Sequence, residues 1–172
     1  MLSPDQVTQR DGKLTADSLR LILSYNEETG LFHWRAARPG VLVGSIAGSI
    51  EPDGYRRIRI LYRKYHAGPL AWLYVTGEWP SQQVDHKNLD RSDDRFSNLR
   101  LATQSQNNAN RRVAKSKSYS VKGIYRKKGR WEASIQKDGH YQYLGRFATA
   151  EEAQRAYGAA AQEMFGDFAR AE

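Results

Sequence analysis

The chain has 172 residues, of which 40% are hydrophobic, and it contains no cysteine. A chain of this length forms one ordinary domain or two small ones, and the modest apolar fraction favours two modest cores. The lack of cysteine excludes disulfide bonds and thiolate zinc sites. No apolar run approaches the length of a membrane span, and the N-terminus lacks the layout of a signal peptide, so we expect a soluble cytoplasmic protein.

The net charge of +8 is unevenly distributed along the chain. Residues 1–85 contain 10 Lys and Arg against 9 Asp and Glu, whereas residues 86–172 contain 17 against 10. Clustered positive charge is typical of proteins that bind the phosphate backbone of nucleic acids. We therefore expect double-stranded DNA as the partner, and a basic face that only promotes solubility is the weaker alternative.

The beginning of the chain predicts a leader and then a helix. Residues 1–13 are polar and predict a flexible leader. Residues 14–25 place Leu19, Ile22 and Leu23 on one face and predict a short helix.

The following segments predict strands and a second helix. Residues 31–35 and 55–62 alternate in the manner of strands. In the second strand, Arg57 and Arg59 would share one face, where contact with phosphate is favoured over simple solvation. Residues 70–75 predict a buried helix.

A strand, loop, strand and helix are predicted in the middle of the chain. Asp85 and His86 end a short apolar run, and Asn98 precedes a second apolar run. Thr103 and the residue three positions later fit a capping box, which places Asn107 in the opening turns of a helix with its side chain tilted back toward the strands. Asp85, His86 and Asn107 would therefore converge.

Such a convergence suits hydrolysis of a phosphodiester. A neutral histidine takes a proton from water, and a divalent cation held by oxygen ligands stabilises the charge on the phosphate. Carboxylate and amide oxygens are ligands that Mg²⁺ accepts. An Asp-His pair by itself is a weak signal, because such pairs are also common as surface residues or local hydrogen-bonded neighbours.

The spacing of the Asp-His pair and the two asparagines resembles the motif of a known enzyme family. Asn98 lies twelve positions after His86, and Asn107 lies nine positions after Asn98. The flanking segments that agree are residues 70–80, 84–86 and 98–100. Together they resemble the phage-type HNH endonucleases in their His-Asn-Asn variant, which have a ββα-metal fold.

The resemblance implies a role for each residue. His86 would be the general base, and Asn98 would tie the loop and hold the catalytic site in shape. Asp85 and Asn107 would bind one divalent metal ion, Mg²⁺ or alternatively Mn²⁺.

One segment departs from the family pattern. Gly68-Pro69 stands where members often carry His-Arg, and the nearest histidine, His66, lies two residues earlier. We expect His66 to be structural. The consequence of Gly68-Pro69 for packing or DNA contact stays open.

Residues 111–130 contain nine Lys and Arg and no acidic residue. Residues 113–118 predict a flexible basic linker whose side chains would neutralise phosphates. The DNA-binding residues expected here are Arg111, Arg112, Lys115 and Lys117. The alternative is a charged run that contacts nothing.

A second small module is predicted after the linker. Three strand-like runs are joined by turns at Lys128-Gly129 and Asp138-Gly139. A helix follows with a capping box at Thr149, and its expected buried stripe consists of Ala153, Ala156, Tyr157, Ala160 and Met164. Trp131 is expected in the core.

The module resembles the APETALA-type DNA-binding domain of plant ethylene-response factors, which also occurs fused to phage HNH endonucleases. The matching segments are residues 123–124, 131–135, 144–147 and 153–157. The resemblance implies that the exposed face of the sheet enters the major groove. The residues expected to bind DNA are Arg126, Lys128, Arg130 and Arg146, followed by Tyr125 and Ser134.

The sequence thus predicts an α+β protein with a nuclease domain at residues 14–112, whose ββα core covers about 82–112, and a DNA-binding domain at residues 119–170. The predicted function is metal-dependent cleavage of DNA in a phage or its bacterial host. A DNA-binding regulator that no longer cuts is the main alternative, and a structural RNA-binding protein is a third. Nicking or double-strand cutting, and a monomer or dimer, remain open.

Overall fold

The computed structural model describes residues 14–37, 39–111 and 122–170. They form two compact units that divide between Leu101 and Ala102. The predicted leader and linker lie outside the described residues, as do Arg112, Lys115 and Lys117. The predicted mixture of helices and strands is confirmed. Within the described residues, no helix has the length and apolar character needed to cross a membrane.

The first helix among the described residues of the first unit is shorter than the sequence predicts. Helix α1 (Ala16–Ile22) is capped by Thr15. Strand β1 (Leu23–Asn26) follows at once and pairs antiparallel with β2 (Leu31–Trp34). The prediction of helix to residue 25 was therefore wrong, because hydrogen bonding to β2 overrides the local helical pattern.

A three-stranded antiparallel sheet follows. It consists of β3 (Ser49–Ile50), β4 (Arg56–Ile60) and β5 (Arg63–His66) in that order. Helix α2 (Ala67–Thr76) begins directly after β5 and is longer than predicted. The fully buried core of this unit includes Phe32, Leu19, Leu23, Ile58, Ile60, Leu70 and Leu73.

The middle of the chain has the predicted order of elements. Strand β6 (Gln83–His86) pairs with β7 (Leu99–Ala102), and a loop with a 3-10 turn at Phe96–Asn98 joins them. Helix α3 (Gln104–Asn110) follows with the predicted capping box. Because α3 belongs to the second unit, the ββα-metal arrangement stays a prediction.

The second unit contains a sheet and a helix in the predicted places. Strands β8 (Ile124–Lys127), β9 (Arg130–Lys137) and β10 (His140–Phe147) form an antiparallel sheet with β9 in the centre. Helix α4 (Ala150–Phe165) has the predicted capping box.

The core of the second unit lies between α4 and the sheet. Trp131 is buried in it, as predicted. The buried side chains of α4 include Ala153, Tyr157, Ala161 and Phe165. The predicted members Ala156, Ala160 and Met164 are only partly buried, because a row with a strict spacing of four residues faces the sheet.

Candidate active site

Four polar side chains are buried around the end of β6 in the first unit. The exposed fractions of the whole residues are 6% for Asp85, 6% for His86, 2% for Asp94 and 8% for Asn98. Burying polar groups is costly unless they find partners. Their contacts therefore define how the site is held.

Asp85 is held by a residue on the neighbouring strand. Its Oδ2 accepts a hydrogen bond from Arg100 Nε at 2.9 Å. Both side chains are largely buried, with exposed fractions of 7% for Asp85 and 14% for Arg100. Sequence reasoning did not single out Arg100, although its place on β7 opposite β6 makes such a contact natural for a paired strand. The ion pair fixes the direction of the carboxylate.

His86 contacts a carboxylate that the sequence interpretation missed. Its Nε2 lies 3.0 Å from Oδ1 of Asp94, in the loop after β6. The ring of Tyr55 also packs against His86, with 5.9 Å between ring centroids, and against His66, with 5.1 Å. The only sequence signal for Asp94 was the pair of adjacent acidic residues in the loop, and that pair does not show which side chain turns inward.

Asn98 connects both ends of the loop between β6 and β7. Its Oδ1 accepts from the backbone N–H of Asn88 at 3.1 Å. Its Nδ2 donates to Asn88 Oδ1 at 3.0 Å and to the carbonyl of Asp93 at 2.8 Å. These three hydrogen bonds suit the loop-tying role that the resemblance implies, whereas a part in catalysis stays a prediction.

The first hairpin of the chain also holds this loop. The Tyr25 hydroxyl donates to the carbonyl of Asp94 at 2.6 Å. Burial raises the pKa of Tyr25, so the hydroxyl keeps its proton and remains a donor. Gly30, with φ of +72°, lies so close to the loop that a Cβ there would be 2.5 Å from the backbone nitrogen of Arg95. The position of Asp94 therefore depends on residues far away in the sequence.

Two ionisable groups beside the buried cluster have shifted pKa values. The hydrogen bond from Arg95 lowers the pKa of Asp93 to about 2, so this carboxylate is charged at neutral pH. Burial, together with the nearby Arg57 cation, lowers the pKa of His66. His66 is therefore neutral at neutral pH, and its edge-on packing against Tyr55 agrees with the expected structural role.

The expected metal ligands lie on different units. Asp85 is in the first unit, and Asn107 is on α3 of the second, where it is partly buried. No group of three His, Cys, Asp or Glu side chains within the described ranges is arranged to hold a metal. One carboxylate and one amide oxygen nevertheless fit Mg²⁺ in kind, because this ion commonly takes one or two carboxylates and fills its shell with water and phosphate oxygens. The convergence of Asp85 with Asn107 stays a prediction.

The two arginines predicted to bind DNA on β4 have different surroundings. Arg57 Nη1 lies 2.7 Å from Glu51, and its Nη2 lies 2.5 Å from Asp53. Arg59 is exposed. Two carboxylates neutralise Arg57, and contact of either arginine with a phosphate stays a prediction.

The register of the second sheet separates the arginines predicted there. Arg146 is paired opposite Glu132 on the exposed face, whereas Arg126 is paired opposite Trp131, on the face that packs against α4. Lys128 is in the turn between β8 and β9, with φ of +48°.

Arg130 shares the exposed face with Lys127, which sequence reasoning did not name. Tyr125 is on this face too, whereas Ser134 is buried at 8% exposure. Arg111 is exposed at the end of α3. Side chains alternate along a strand, so a core position for Ile124 would have predicted that Lys127, and not Arg126, lies on the exposed face.

Comparison with known proteins relates the middle of the chain to a family of nucleases. A family model described as HNH endonuclease matches residues 65–109. An uncharacterized HNH endonuclease of Acanthamoeba polyphaga mimivirus is 36% identical over 99 residues, which make up 56% of this chain and 51% of the viral protein. The chain therefore spans about half the length of this relative. Residues 65–109 form an HNH endonuclease domain, and the likeness of the C-terminal unit to ethylene-response factors stays a prediction.

Proposed function

From the HNH endonuclease domain at residues 65–109, we propose that this protein is a metal-dependent DNA endonuclease with His86 as its general base. The observation that carries the proposal is the buried cluster at the end of β6. There, Asp94 holds the His86 ring at Nε2, and Arg100 holds the neighbouring Asp85 carboxylate. An imidazole that is buried and oriented in this way is suited to take a proton from water during attack on a phosphate.

Asp85 and Asn107 would hold the divalent ion in this proposal. When bound, the ion would supply positive charge that stabilises the phosphate and the departing 3′-oxygen. Arg100 keeps the Asp85 carboxylate in one orientation through its 2.9 Å hydrogen bond. Asn98 holds the loop that carries Asp94, so the imidazole and its partner keep their relative position.

The second unit would bring DNA to the nuclease domain. Its exposed sheet face carries Lys127, Arg130 and Arg146, together with Tyr125. Cations that project from one face of a sheet can pair with phosphates or with guanine edges. Two weak DNA-binding surfaces on one chain would reinforce each other through their high effective concentration.

Supercoiled plasmid tests the proposal directly. We expect the wild-type protein to nick or linearise plasmid with Mg²⁺ and to leave it intact with EDTA. His86→Ala should cut at least about 100-fold more slowly, yet it should shift DNA in a gel in EDTA as the wild type does. His140→Ala is the matched control, because His140 is exposed in the second unit.

Two results would count against the proposal. Cleavage by His86→Ala at the wild-type rate would remove the assignment of the general base. DNA binding without metal-dependent cleavage of any sequence tested would favour the non-cutting regulator instead. Sequencing the ends produced from a phage-genome digest would then show whether one strand or both are cut.

A further inference from the structure

We infer that Asp94 is a positioning residue that fixes the tautomer and orientation of the His86 imidazole. The inference rests on the proposed function, because it assigns Asp94 a task only if His86 takes a proton from water. Asp94 was not among the site residues predicted from the sequence.

The contact between the two side chains specifies one proton position. His86 Nε2 is 3.0 Å from Asp94 Oδ1, and the exposed fractions of the two side chains are 7% and 2%. A carboxylate only accepts hydrogen bonds, so Nε2 must carry the proton. The lone pair is then on Nδ1, which becomes the ring atom able to accept a proton.

Three elements of the first unit hold Asp94 against the imidazole. The Tyr25 hydroxyl binds the Asp94 carbonyl, and Gly30 lies against its backbone. Gly68, in the first turn of α2, lies over the side chain. A Cβ at Gly68 would be 3.3 Å from Asp94 Oδ1 and 3.7 Å from His86 Cε1.

The glycine at position 68 thus gives the pair its space. A Cβ there would press on the carboxylate oxygen and would lie in van der Waals contact with the ring. The departure from the family pattern at Gly68-Pro69 and the carboxylate at Asp94 are therefore two parts of one local arrangement in this chain.

The second carboxylate oxygen distinguishes this pair from an ordinary structural contact. Asp94 Oδ2 is buried and has no hydrogen-bond partner among the described residues. Buried polar atoms that serve only the fold are nearly always satisfied, because an unmade hydrogen bond is costly. An unsatisfied buried group in a folded protein calls for an explanation such as a role in catalysis, and this one belongs to a carboxylate that contacts an imidazole.

Nitrogen-15 NMR of the imidazoles tests the inference without DNA or metal. The chain has four histidines, and His86→Gln identifies the signals of His86. In the wild-type protein, we expect His86 to show the single tautomer protonated at Nε2. In Asp94→Ala, the two tautomers should mix, and Asp94→Asn, whose amide oxygen can still accept, should keep more of the original tautomer. Glu28→Gln, which changes an exposed acidic residue in the turn after β1, is the control and should leave the spectrum unchanged.

Cleavage kinetics with Mg²⁺ provide the second readout. Asp94→Ala should lower kcat by about 10–100-fold with little change in KM, as expected for a residue that acts through another. Asp94→Asn should recover part of the loss. Thermal melts establish that each variant is folded before its kinetics are compared.

The two readouts separate this inference from the proposed function. A folded Asp94→Ala protein in which His86 keeps one Nε2-protonated tautomer would overturn the inference, whatever its activity. A protein that never cleaves DNA, but whose His86 tautomer depends on Asp94, would refute the nuclease proposal and support the positioning contact.

Discussion

The candidate functional side chains of the two units differ in their exposure to solvent. The first unit buries its cluster, with Asp94 only 2% exposed and His86 only 6%. The sheet of the second unit exposes its tyrosines, with 61% of Tyr141 and 52% of Tyr143 accessible to solvent. A buried group has its direction fixed by its partners, whereas an exposed group can adapt to a ligand. The contrast agrees with the proposal that the general base belongs to the first unit and that the second unit binds DNA.

One glycine in each unit offers the strongest test of this division. Gly30 has a positive φ and abuts the backbone of Asp94 and Arg95, and Gly123 has a positive φ and abuts Ser134 and Tyr157. Alanine at either position would combine a strained backbone with a steric clash, so we expect a loss of about 3 kcal/mol in the free energy of unfolding. Urea unfolding measures the loss. Gly30→Ala should abolish cleavage but keep DNA binding, and Gly123→Ala should weaken DNA binding first.

Matched controls separate the clash from the backbone strain. Gly40 and Gly129 also have positive φ, but no described atom outside their chain neighbours lies within 4 Å of a Cβ built there. Alanine at these positions should therefore cost only about 1 kcal/mol. Equal losses for all four variants would show that the close contacts at Gly30 and Gly123 do not matter. Loss of the same property by Gly30→Ala and Gly123→Ala would argue against the division of tasks.

A smaller effect is expected from the loop carboxylate Asp93. Its pKa of about 2 lies below the ordinary value of 3.8 because Arg95 donates hydrogen bonds to it. A lowered pKa means that the charged form stabilises the fold. This contribution is fully present above about pH 4 and is lost as the pH falls toward 2. Allowing for the half-exposed Arg95 side chain, we expect about 1–2 kcal/mol.

Urea unfolding at pH 7 and pH 3 checks this expectation. Asp93→Asn should be less stable than the wild type at pH 7, and the difference should shrink at pH 3. The exposed Glu28→Gln is the control and should follow the wild type at both values. A difference for Asp93→Asn that grows on acidification would contradict the direction of the pKa shift.

The sequence predicted what depends on neighbours along the chain. The capping boxes at Thr103 and Thr149 are four-residue patterns, and both form as expected. The inward turn of Asp94 depends instead on Tyr25 and Gly30, more than sixty residues earlier. Leu23 likewise belongs to a strand because it pairs with Trp34 on β2. Such long-range packing leaves no local periodicity to read.

The register of the second sheet leads to the smallest predicted effect, which concerns single cations on DNA. Arg146 is exposed opposite Glu132, with 3.9 Å between the charged atoms. Arg126 is opposite Trp131, with its guanidinium carbon 6.0 Å from the centre of the indole ring. If the exposed face binds phosphate, Arg146→Ala should weaken binding by about 1 kcal/mol and lower the slope of log affinity against log salt by about 0.9. Arg126→Ala should change the slope less.

Titration of a labelled duplex at several salt concentrations distinguishes the two arginines. Both substitutions remove the same charge from the same small sheet, so a nonspecific loss of positive charge would lower both slopes equally. The two slopes differ in the expected direction only if DNA binds the face of the sheet that carries Glu132. A larger change for Arg126→Ala would place the DNA on the Trp131 side of β8. The exposed tyrosines on the Glu132 face would then have a role other than DNA binding.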